Sequence, residues 1–172
     1  SAGGINMDDM PQHILVVDDD PIIRESLSEF LRLEGYEATG ARNFAEALTA
    51  LDRQSYTLVI SDINMPDANG FELLRVIRQR HPDVVTIMIT GYGTIESAVE
   101  AIKMGAYDYL TKPIVDEELK LVVERALQQR SLLRENRCLR EQLDQRYGLG
   151  SIVGHDYKML KVFDLVEMVA DS

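Results

Sequence analysis

The feature that most constrains the fold of this chain is an alternation of short apolar runs with amphipathic segments, from residue 13 to about residue 110. Runs rich in β-branched and aromatic residues predict five strands, at residues 13–17, 36–39, 58–61, 84–90 and 107–110. Such alternation is typical of βα units arranged around a parallel sheet. The sequence therefore predicts an α/β fold in which strand 36–39, more polar than the first, third and fourth strands, lies at an edge.

Four segments between these strands carry apolar residues at helical spacing. The first helix has clear limits, because Asp20 can cap it, Pro21 suits its first position and Gly35 can end it. The others are predicted at residues 43–53, 71–80 and 94–104. We expect each apolar stripe to pack on the sheet. In helix 94–104 the stripe consists of Ile95, Ala98, Val99 and Ile102.

A fifth helix begins near Asp116 and meets no helix-breaking residue before Gly148, which makes it about twice as long as a typical globular helix. Its second half has leucine or asparagine at a 4-3-4 spacing. The residues concerned are Leu132, Asn136, Leu139 and Leu143. This spacing favours a parallel coiled coil with one asparagine in its seam, so we predict that residues 129–147 form a dimerising linker. A charged, solvated linker helix is the alternative, because two heptads make a short coiled coil.

Length, charge and cysteine content narrow the possible functions. The 172 residues are enough for one packed domain and an appendage. A net charge of −11 repels a phosphate backbone, so we expect no direct DNA binding. The single cysteine, Cys138, excludes an internal disulfide and suits a reducing cytoplasm, and no membrane span or signal peptide is visible. We predict that residues 1–11 are a disordered leader or tag.

Polar residues follow the predicted strands at their carboxyl ends, where open parallel sheets bind their ligands. They are Asp18 and Asp19 after the first strand, Asp62 after the third, Thr90 at the end of the fourth and Lys112 after the fifth. Three carboxylates at one place repel each other, so the cluster requires a cation or shifted pKa values. Mg²⁺ meets this need, because it takes oxygen ligands and commonly joins one or two carboxylates to a phosphate.

This constellation predicts phosphoryl chemistry. Asp62 can attack phosphorus as a nucleophile, while Lys112 and Thr90 contact phosphoryl oxygens. Pro113 can place Lys112 through a cis peptide bond. Each of these residues also has an ordinary structural role when it is taken alone, such as a helix cap or a turn. Their joint position at one edge of the sheet favours the functional interpretation.

Four segments together resemble the bacterial two-component response-regulator receiver domain, over roughly residues 12–128. They are Ile14-Leu-Val-Val-Asp-Asp-Asp20, Ser61-Asp-Ile-Asn-Met-Pro-Asp-Ala-Asn-Gly70, Ile89-Thr-Gly91 and Tyr109-Leu-Thr-Lys-Pro113. The resemblance implies a doubly wound, flavodoxin-like sheet of five parallel strands in the order 2-1-3-4-5. It also implies that Asp62 accepts a phosphoryl group from a sensor histidine kinase.

The same resemblance implies the roles of further residues. Asp18, Asp19, Asp62 and the backbone carbonyl of Asn64 would bind Mg²⁺. Thr90 and Tyr109 would form a switch that responds to phosphorylation. In this family the face made by the fourth helix, fifth strand and fifth helix is a second candidate surface for a homodimer.

A second resemblance is to sigma-54-dependent transcriptional activators of the nitrogen-regulator type. It rests on Gly105-Ala-Tyr-Asp-Tyr-Leu-Thr-Lys-Pro113, on the linker and on Ile152-Val-Gly154. It implies that residues 148–172 are the truncated start of an AAA+ ATPase domain. The chain contains no Walker A loop, so we expect no ATP hydrolysis, and contact with RNA polymerase and sigma-54 only through domains outside this sequence.

Two other functions stay open at this point. A magnesium-dependent aspartyl phosphatase or phosphotransferase of the haloacid dehalogenase kind also uses an aspartate on a parallel sheet. This function predicts an Asp-x-Asp pair and a cap domain. Two observations count against it: Pro21 directly follows Asp20, and the sequence has no cap insertion. The third possibility is a coiled-coil adaptor with a vestigial acidic pocket.

Overall fold

The strands and helices alternate throughout the computed structural model, which describes residues 12–91 and 95–147. The elements are β1 (His13–Val17), α1 (Pro21–Leu33), β2 (Glu37–Ala41), α2 (Phe44–Arg53), β3 (Leu58–Asp62), α3 (Gly70–Arg80), β4 (Val85–Thr90), α4 (Ile95–Lys103), β5 (Asp108–Thr111) and α5 (Asp116–Tyr147). The predicted order of five strands and five helices is confirmed, and most bounds agree to within one or two residues.

All the strand pairings are parallel, in the order β2-β1-β3-β4-β5, which confirms the predicted topology. The polar strand β2 lies at an edge, as predicted, but it begins one residue later and ends two residues later than the sequence indicated. Gly40 and Ala41 belong to it because they pair with Val16 and Val17 of β1. Pairing with a central strand here outweighs the low strand propensity of glycine.

The three central strands are buried on both faces. On one face, Ile14, Ile60 and Ile89 share a cluster with residues of α1 and α5. On the other face, alternate strand residues pack against α2, α3 and α4. This burial fixes the strands in a common register, so the residues that follow them are held at one edge of the sheet.

Side-chain caps mark the starts of three helices. Asp20 accepts a hydrogen bond from the Ile22 amide at 2.9 Å, which confirms the predicted cap of α1. Asn43 and Asn69 cap α2 and α3 in the same way. Asn43 therefore precedes α2 rather than starting it, because an N-cap residue has an extended backbone.

The prediction that the whole apolar stripe of α4 packs on the sheet is wrong. Ala98 is buried, but Ile95 is 81% exposed and Val99 and Ile102 are 45% and 46% exposed. The buried face of α4 consists instead of the small residues Ala98 and Ala101. Small side chains allow the helix backbone to approach the sheet, and the larger residues then lie on the neighbouring, outward face.

The last helix, α5, runs from Asp116 to Tyr147 and confirms the predicted long carboxyl-terminal helix. The chain divides into two units, with the boundary between Ser131 and Leu132. In the first unit, Leu119, Val123 and Ala126 of α5 are fully buried. This part of the helix therefore contributes to the core of the α/β domain.

In the second unit, the described part of α5 exposes its leucines. Leu132, Leu139 and Leu143 are 59%, 53% and 37% exposed, and Asn136 is also exposed. The predicted leader at residues 1–11 and the predicted start of an ATPase domain at residues 148–172 lie outside the described residues. Within residues 12–91 and 95–147, none of the helices has the length and apolar character needed to cross a bilayer.

Candidate functional site

Three carboxylates, one hydroxyl and one ammonium group lie at the carboxyl edge of the sheet. We use the name carboxyl edge for the residues Asp18, Asp19, Asp62, Thr90 and Lys112. One oxygen from each of the three aspartates lies within 4.8 Å of the others. The Lys112 Nζ atom lies 2.8 Å from Asp62 Oδ2 and 3.2 Å from Asp18 Oδ2. The structure thus brings together residues that are distant in the sequence.

The strand register explains this convergence. Val17 pairs with Ser61, so the residues that follow them, Asp18 and Asp62, are neighbours at the ends of β1 and β3. Lys112 follows β5, and its amide extends the β4–β5 pairing by donating to the Thr90 carbonyl at 2.9 Å. The Lys112–Pro113 peptide bond is cis, as the sequence predicted.

The site is buried and rich in hydrogen-bond acceptors. The side chains of Asp18 and Asp62 are 1% and 5% exposed, whereas Asp19 is exposed. Asp18 Oδ1 accepts from the Asp20 amide at 2.9 Å, and Asp62 Oδ1 accepts from the Asn64 amide at 3.0 Å. Asp18 Oδ2 has no hydrogen-bond partner among the described residues, because its contact with Lys112 is an ion pair without hydrogen-bond geometry.

Burial and the neighbouring charges also shift the pKa values of Asp18 and Lys112. Burial is the main cause that raises the pKa of Asp18, and the charge of Asp62 raises it further. The Asp20 amide and Lys112 lower the pKa of Asp18 without reversing the shift. Burial also lowers the pKa of Lys112, but its interactions with the Asp62 and Asp18 carboxylates outweigh burial and raise that pKa.

These observations fit a divalent cation with oxygen ligands. A buried carboxylate oxygen without a hydrogen-bond partner costs free energy unless a cation or proton satisfies it. Asp18, Asp19 and Asp62 offer three oxygens in one small volume, opposed by one lysine. Hard oxygen donors of this kind suit Mg²⁺ better than a soft metal.

The remaining predicted site residues are Thr90, Tyr109 and Asn64. Thr90 is buried at the carboxyl end of β4, where β4 pairs with β5. Tyr109 is half-buried and packs against a cluster that includes Ile63 and Ala101. Asn64 is exposed and follows Asp62 by two residues. The Tyr109 side chain thus packs on a cluster that includes the residue after β3 and residues of β4 and α4.

Arg24 and Gly70 support the site, although the sequence did not indicate their contacts. Arg24 donates from Nη1 to the Asp18 carbonyl at 2.8 Å. A Cβ atom on Gly70 would lie only 2.5 Å from the Asp62 carbonyl oxygen, so glycine allows α3 to approach the end of β3. Gly70 was visible as part of a motif, but no local pattern distinguishes Arg24 from an ordinary surface arginine.

A family model confirms the type of domain. Residues 14–124 match the model described as the response regulator receiver domain. The chain belongs to this family. Receiver domains are the input modules of response regulators, so the geometry described above lies in a signalling domain.

Curated relatives and solved structures agree with this assignment. The chain is 37% identical over 163 residues to the C4-dicarboxylate transport transcriptional regulatory protein DctD of Pseudomonas aeruginosa, covering 94% of this chain and 35% of the relative. It is 41% identical over 134 residues to the nitrogen assimilation regulatory protein NtrX of Azorhizobium caulinodans, covering 77% and 30%. The chain thus spans about a third of these relatives.

Two solved structures show the same receiver fold. A crystal structure of NtrX from Brucella abortus in complex with ATP has a TM-score of 0.72 at 41% identity, covering 76% of this chain and 30% of that one. A solution structure of the beryllofluoride-activated NtrC4 receiver domain dimer has a TM-score of 0.66 at 37% identity, covering 69% and 98%. The second structure is a receiver alone, so nearly its whole length matches this chain.

Proposed function

We propose that this receiver accepts a phosphoryl group on Asp62 from a sensor histidine kinase in a Mg²⁺-dependent reaction. The observation that carries the proposal is the buried Asp62 carboxylate, which lies 2.8 Å from the Lys112 ammonium and beside Asp18 and Asp19. An isolated buried aspartate would be protonated or avoided, whereas this one has a cation beside it and carboxylates positioned for a metal.

In the transfer step, an oxygen of Asp62 forms a bond to phosphorus as the bond between phosphorus and a histidine nitrogen of the kinase breaks. The electron pair of the broken bond stays on the departing imidazole nitrogen. Lys112 is already hydrogen-bonded to Asp62 Oδ2, so its charge is next to the phosphoryl group as it arrives. Thr90, at the end of the neighbouring strand, would donate to another phosphoryl oxygen.

Bound Mg²⁺ supplies charge neutralisation for the transferring group. Asp18, Asp19, Asp62 and the backbone carbonyl of Asn64 would hold the ion. Asp18 contributes the buried oxygen that has no hydrogen-bond partner among the described residues. We do not assign the chain a turnover function, because the proposed product is a phosphorylated form of the protein itself.

Acceptance of the phosphoryl group is testable by intact mass after incubation with phosphoramidate and Mg²⁺. We expect the wild type to gain one phosphoryl group and Asp62→Asn to gain none. Asp52→Asn, at an exposed aspartate of α2, is the matched control and should be modified like the wild type. Absence of an adduct on the wild type with every small donor would contradict the proposal.

A turnover assay with a phosphomonoester tests the haloacid dehalogenase alternative. That function requires turnover of a phosphomonoester and its loss in Asp20→Ala. The Asp20 carboxylate caps α1 through the Ile22 amide, which gives it a structural role. We therefore expect no multiple turnover by the wild type.

We further propose that phosphorylation biases a two-state equilibrium involving Thr90 and Tyr109, with a changed homodimer as the output. Two exposed apolar stripes support a dimer: Ile95, Val99 and Ile102 on α4, and the leucines of the linker segment 129–147. The solution structure of the beryllofluoride-activated NtrC4 receiver domain is that of a dimer, which supports the same idea. The receiver itself would comprise residues 12–128.

The linker contact can be tested by analytical ultracentrifugation with and without beryllofluoride. Leu139→Ala removes a side chain of the predicted seam and should weaken the dimer. Glu141→Ala, two residues away and outside the seam, is the matched control and should leave it unchanged. A Leu139→Ala dimer as tight as that of the wild type would contradict the linker as the main contact.

The relatives support a wider context for this switch. DctD is a transcriptional regulatory protein and NtrX is a nitrogen assimilation regulatory protein, and the chain covers 35% and 30% of them. We propose that the receiver controls a cytoplasmic sigma-54-dependent transcription activator, in which domains other than the receiver contact RNA polymerase. The net charge of −11 supports a receiver that does not bind DNA directly.

A further inference from the structure

The loop between Asp62 and α3 is tied to a different helix by one side chain. The Asp67 carboxylate accepts hydrogen bonds from the Phe44 amide at 3.0 Å and from the Ala45 amide at 3.1 Å. Both amides belong to the first turn of α2, more than twenty residues earlier in the chain. We call these two bonds the Asp67 tether. Asp67 is exposed, so the tether is not a by-product of core packing.

The Asp67 carboxylate is well suited to the start of α2, which it contacts. The first amides of a helix have no partner within the helix, and the helix dipole favours a negative charge there. Asn43 already satisfies the Glu46 amide, so Asp67 supplies acceptors for the two amides that Asn43 leaves. The pKa of Asp67 is lowered, chiefly by the hydrogen bond from Phe44, which agrees with an ionised carboxylate in this position.

The tether also joins the two halves of the proposed metal site. The segment that leads into α2 contacts the first half, because the Asp18 amide donates to the Ala41 carbonyl at 3.1 Å. Asp67 connects the start of α2 to the second half, the loop that carries Asn64. The site therefore has ligands on two separate loops, and residues 41–45 contact both.

We propose that Asp67 is a positioning residue, which holds the loop from residue 63 to residue 69 so that Asn64 and Asp62 can bind Mg²⁺ together with Asp18 and Asp19. This inference rests on the proposed function. Asp67 touches neither metal nor phosphoryl group in this scheme. It acts by fixing the loop backbone, and its loss should weaken metal binding while every ligand remains in the chain.

Three single variants of the full chain separate positioning from other effects. Asp67→Ala removes the negative charge and both hydrogen bonds. Asp67→Asn also removes the negative charge, but it keeps one acceptor oxygen. Asn43→Ala is the matched control, because it removes a capping bond of the same helix and leaves the tether intact. If helix stability alone mattered, Asn43→Ala and Asp67→Ala would have the same Mg²⁺ affinity. If charge alone mattered, the two Asp67 variants would have the same Mg²⁺ affinity.

The first readout is Mg²⁺ affinity by isothermal titration calorimetry. Loss of a group that orients a ligand typically weakens metal affinity by about 10–100-fold, and Asp67 acts one step further away, so we expect about three- to tenfold for Asp67→Ala. Asp67→Asn should fall between Asp67→Ala and the wild type. The second readout is amide hydrogen exchange without metal, which should accelerate at residues 63–69 in Asp67→Ala but not in Asn43→Ala.

The outcomes separate this inference from the proposed function. Equal Mg²⁺ affinity in wild type and Asp67→Ala, or equal losses in Asp67→Ala and Asn43→Ala, overturns the positioning role while the receiver function stands. Unchanged exchange at residues 63–69 overturns it as well. A wild type that neither binds Mg²⁺ nor accepts a phosphoryl group overturns the proposed function and this inference together.

Discussion

The two edges of the sheet differ in how their polar side chains are paired. At the amino edge, by which we mean His13, Glu37, Thr39, Gln54 and Tyr56, the groups pair with one another. His13 Nε2 lies 2.7 Å from Thr39 Oγ1, its Nδ1 lies 3.5 Å from a Glu37 oxygen, and Gln54 contacts the ring. The ring of Tyr56 meets that of His13 edge-on at 4.7 Å.

At the carboxyl edge the same strands end in an unbalanced cluster. Asp18, Asp19 and Asp62 face the single ammonium group of Lys112, and Asp18 Oδ2 has no hydrogen-bond partner among the described residues. The two edges therefore differ in the balance of hydrogen-bond donors and acceptors. A balanced polar cluster stabilises a fold, whereas an unbalanced, buried one marks the place where a ligand completes the set.

The largest expected effect is that of Gly70→Ala at the carboxyl edge. The new Cβ would lie 2.5 Å from the Asp62 carbonyl oxygen and 2.9 Å from the Ile63 Cα atom, both of which are backbone atoms. Overpacking against backbone should lower the free energy of unfolding by about 2–3 kcal/mol, measured by urea denaturation.

Gly105→Ala, before β5 at the other end of the sheet, is the comparison for this variant. Gly105 has a φ of +104°, and a Cβ there would meet the flexible Arg78 side chain at 2.7 Å. The left-handed backbone should cost about 1–2 kcal/mol, and Arg78 can move aside. A smaller loss in Gly70→Ala than in Gly105→Ala would contradict the tight packing of α3 against the end of β3.

The second prediction concerns added metal. Mg²⁺ at about ten times its dissociation constant should stabilise the folded wild type by about 1.4 kcal/mol, because it binds the folded state selectively. Thermal unfolding with Mg²⁺ and with excess chelator measures this difference. Asp18→Asn should show almost none of it, whereas Thr39→Val at the amino edge should retain it. Equal stabilisation of all three proteins would place the ion elsewhere.

The third prediction compares the free energy of unfolding of two variants, each lacking one polar group, in the absence of Mg²⁺. Asp18→Asn removes a charge whose burial raises its pKa, so the free energy of unfolding should rise by about 1 kcal/mol. Thr39→Val removes a partner of His13 and should lower it by about 1 kcal/mol. Opposite signs at the two edges are the expected result of urea denaturation at neutral pH. The same sign for both variants would contradict the contrast between the edges.

The smallest effect is a pH dependence at the amino edge. Burial lowers the pKa of His13 below 6.5, although the charge of Glu37 opposes the shift. The unfolded chain therefore binds the proton more readily, so the His13 contribution to stability is lost as pH falls through 6.5 towards the folded pKa. Urea midpoints between about pH 7.5 and about pH 5.5 should fall further for wild type than for His13→Gln. Parallel decreases would rule out His13 as the cause.

Much of the fold could be predicted because its signals are local. The apolar runs of β1, β3 and β4, the cap at Asp20 and the uninterrupted helix from Asp116 each depend on neighbours along the chain. The cis bond before Pro113 is only permitted by the local sequence, because trans is the commoner form even for a bond that precedes proline. The apolar stripe of α4 shows the limit of this reasoning, since Ile95 and Ala98 both fit helical periodicity, and only packing decides which of them faces the sheet.

The sequence by itself determined which edge of the sheet carries the acidic cluster. Parallel strands align their carboxyl ends, so acidic residues after β1 and at the end of β3 and a lysine after β5 had to be neighbours. Only the tertiary structure decided how that edge is held, through Arg24 on the Asp18 carbonyl, Gly70 against Asp62 and the Asp67 tether to α2. These contacts join segments that are distant in the chain, and no local periodicity specifies which distant backbone group a polar side chain will reach.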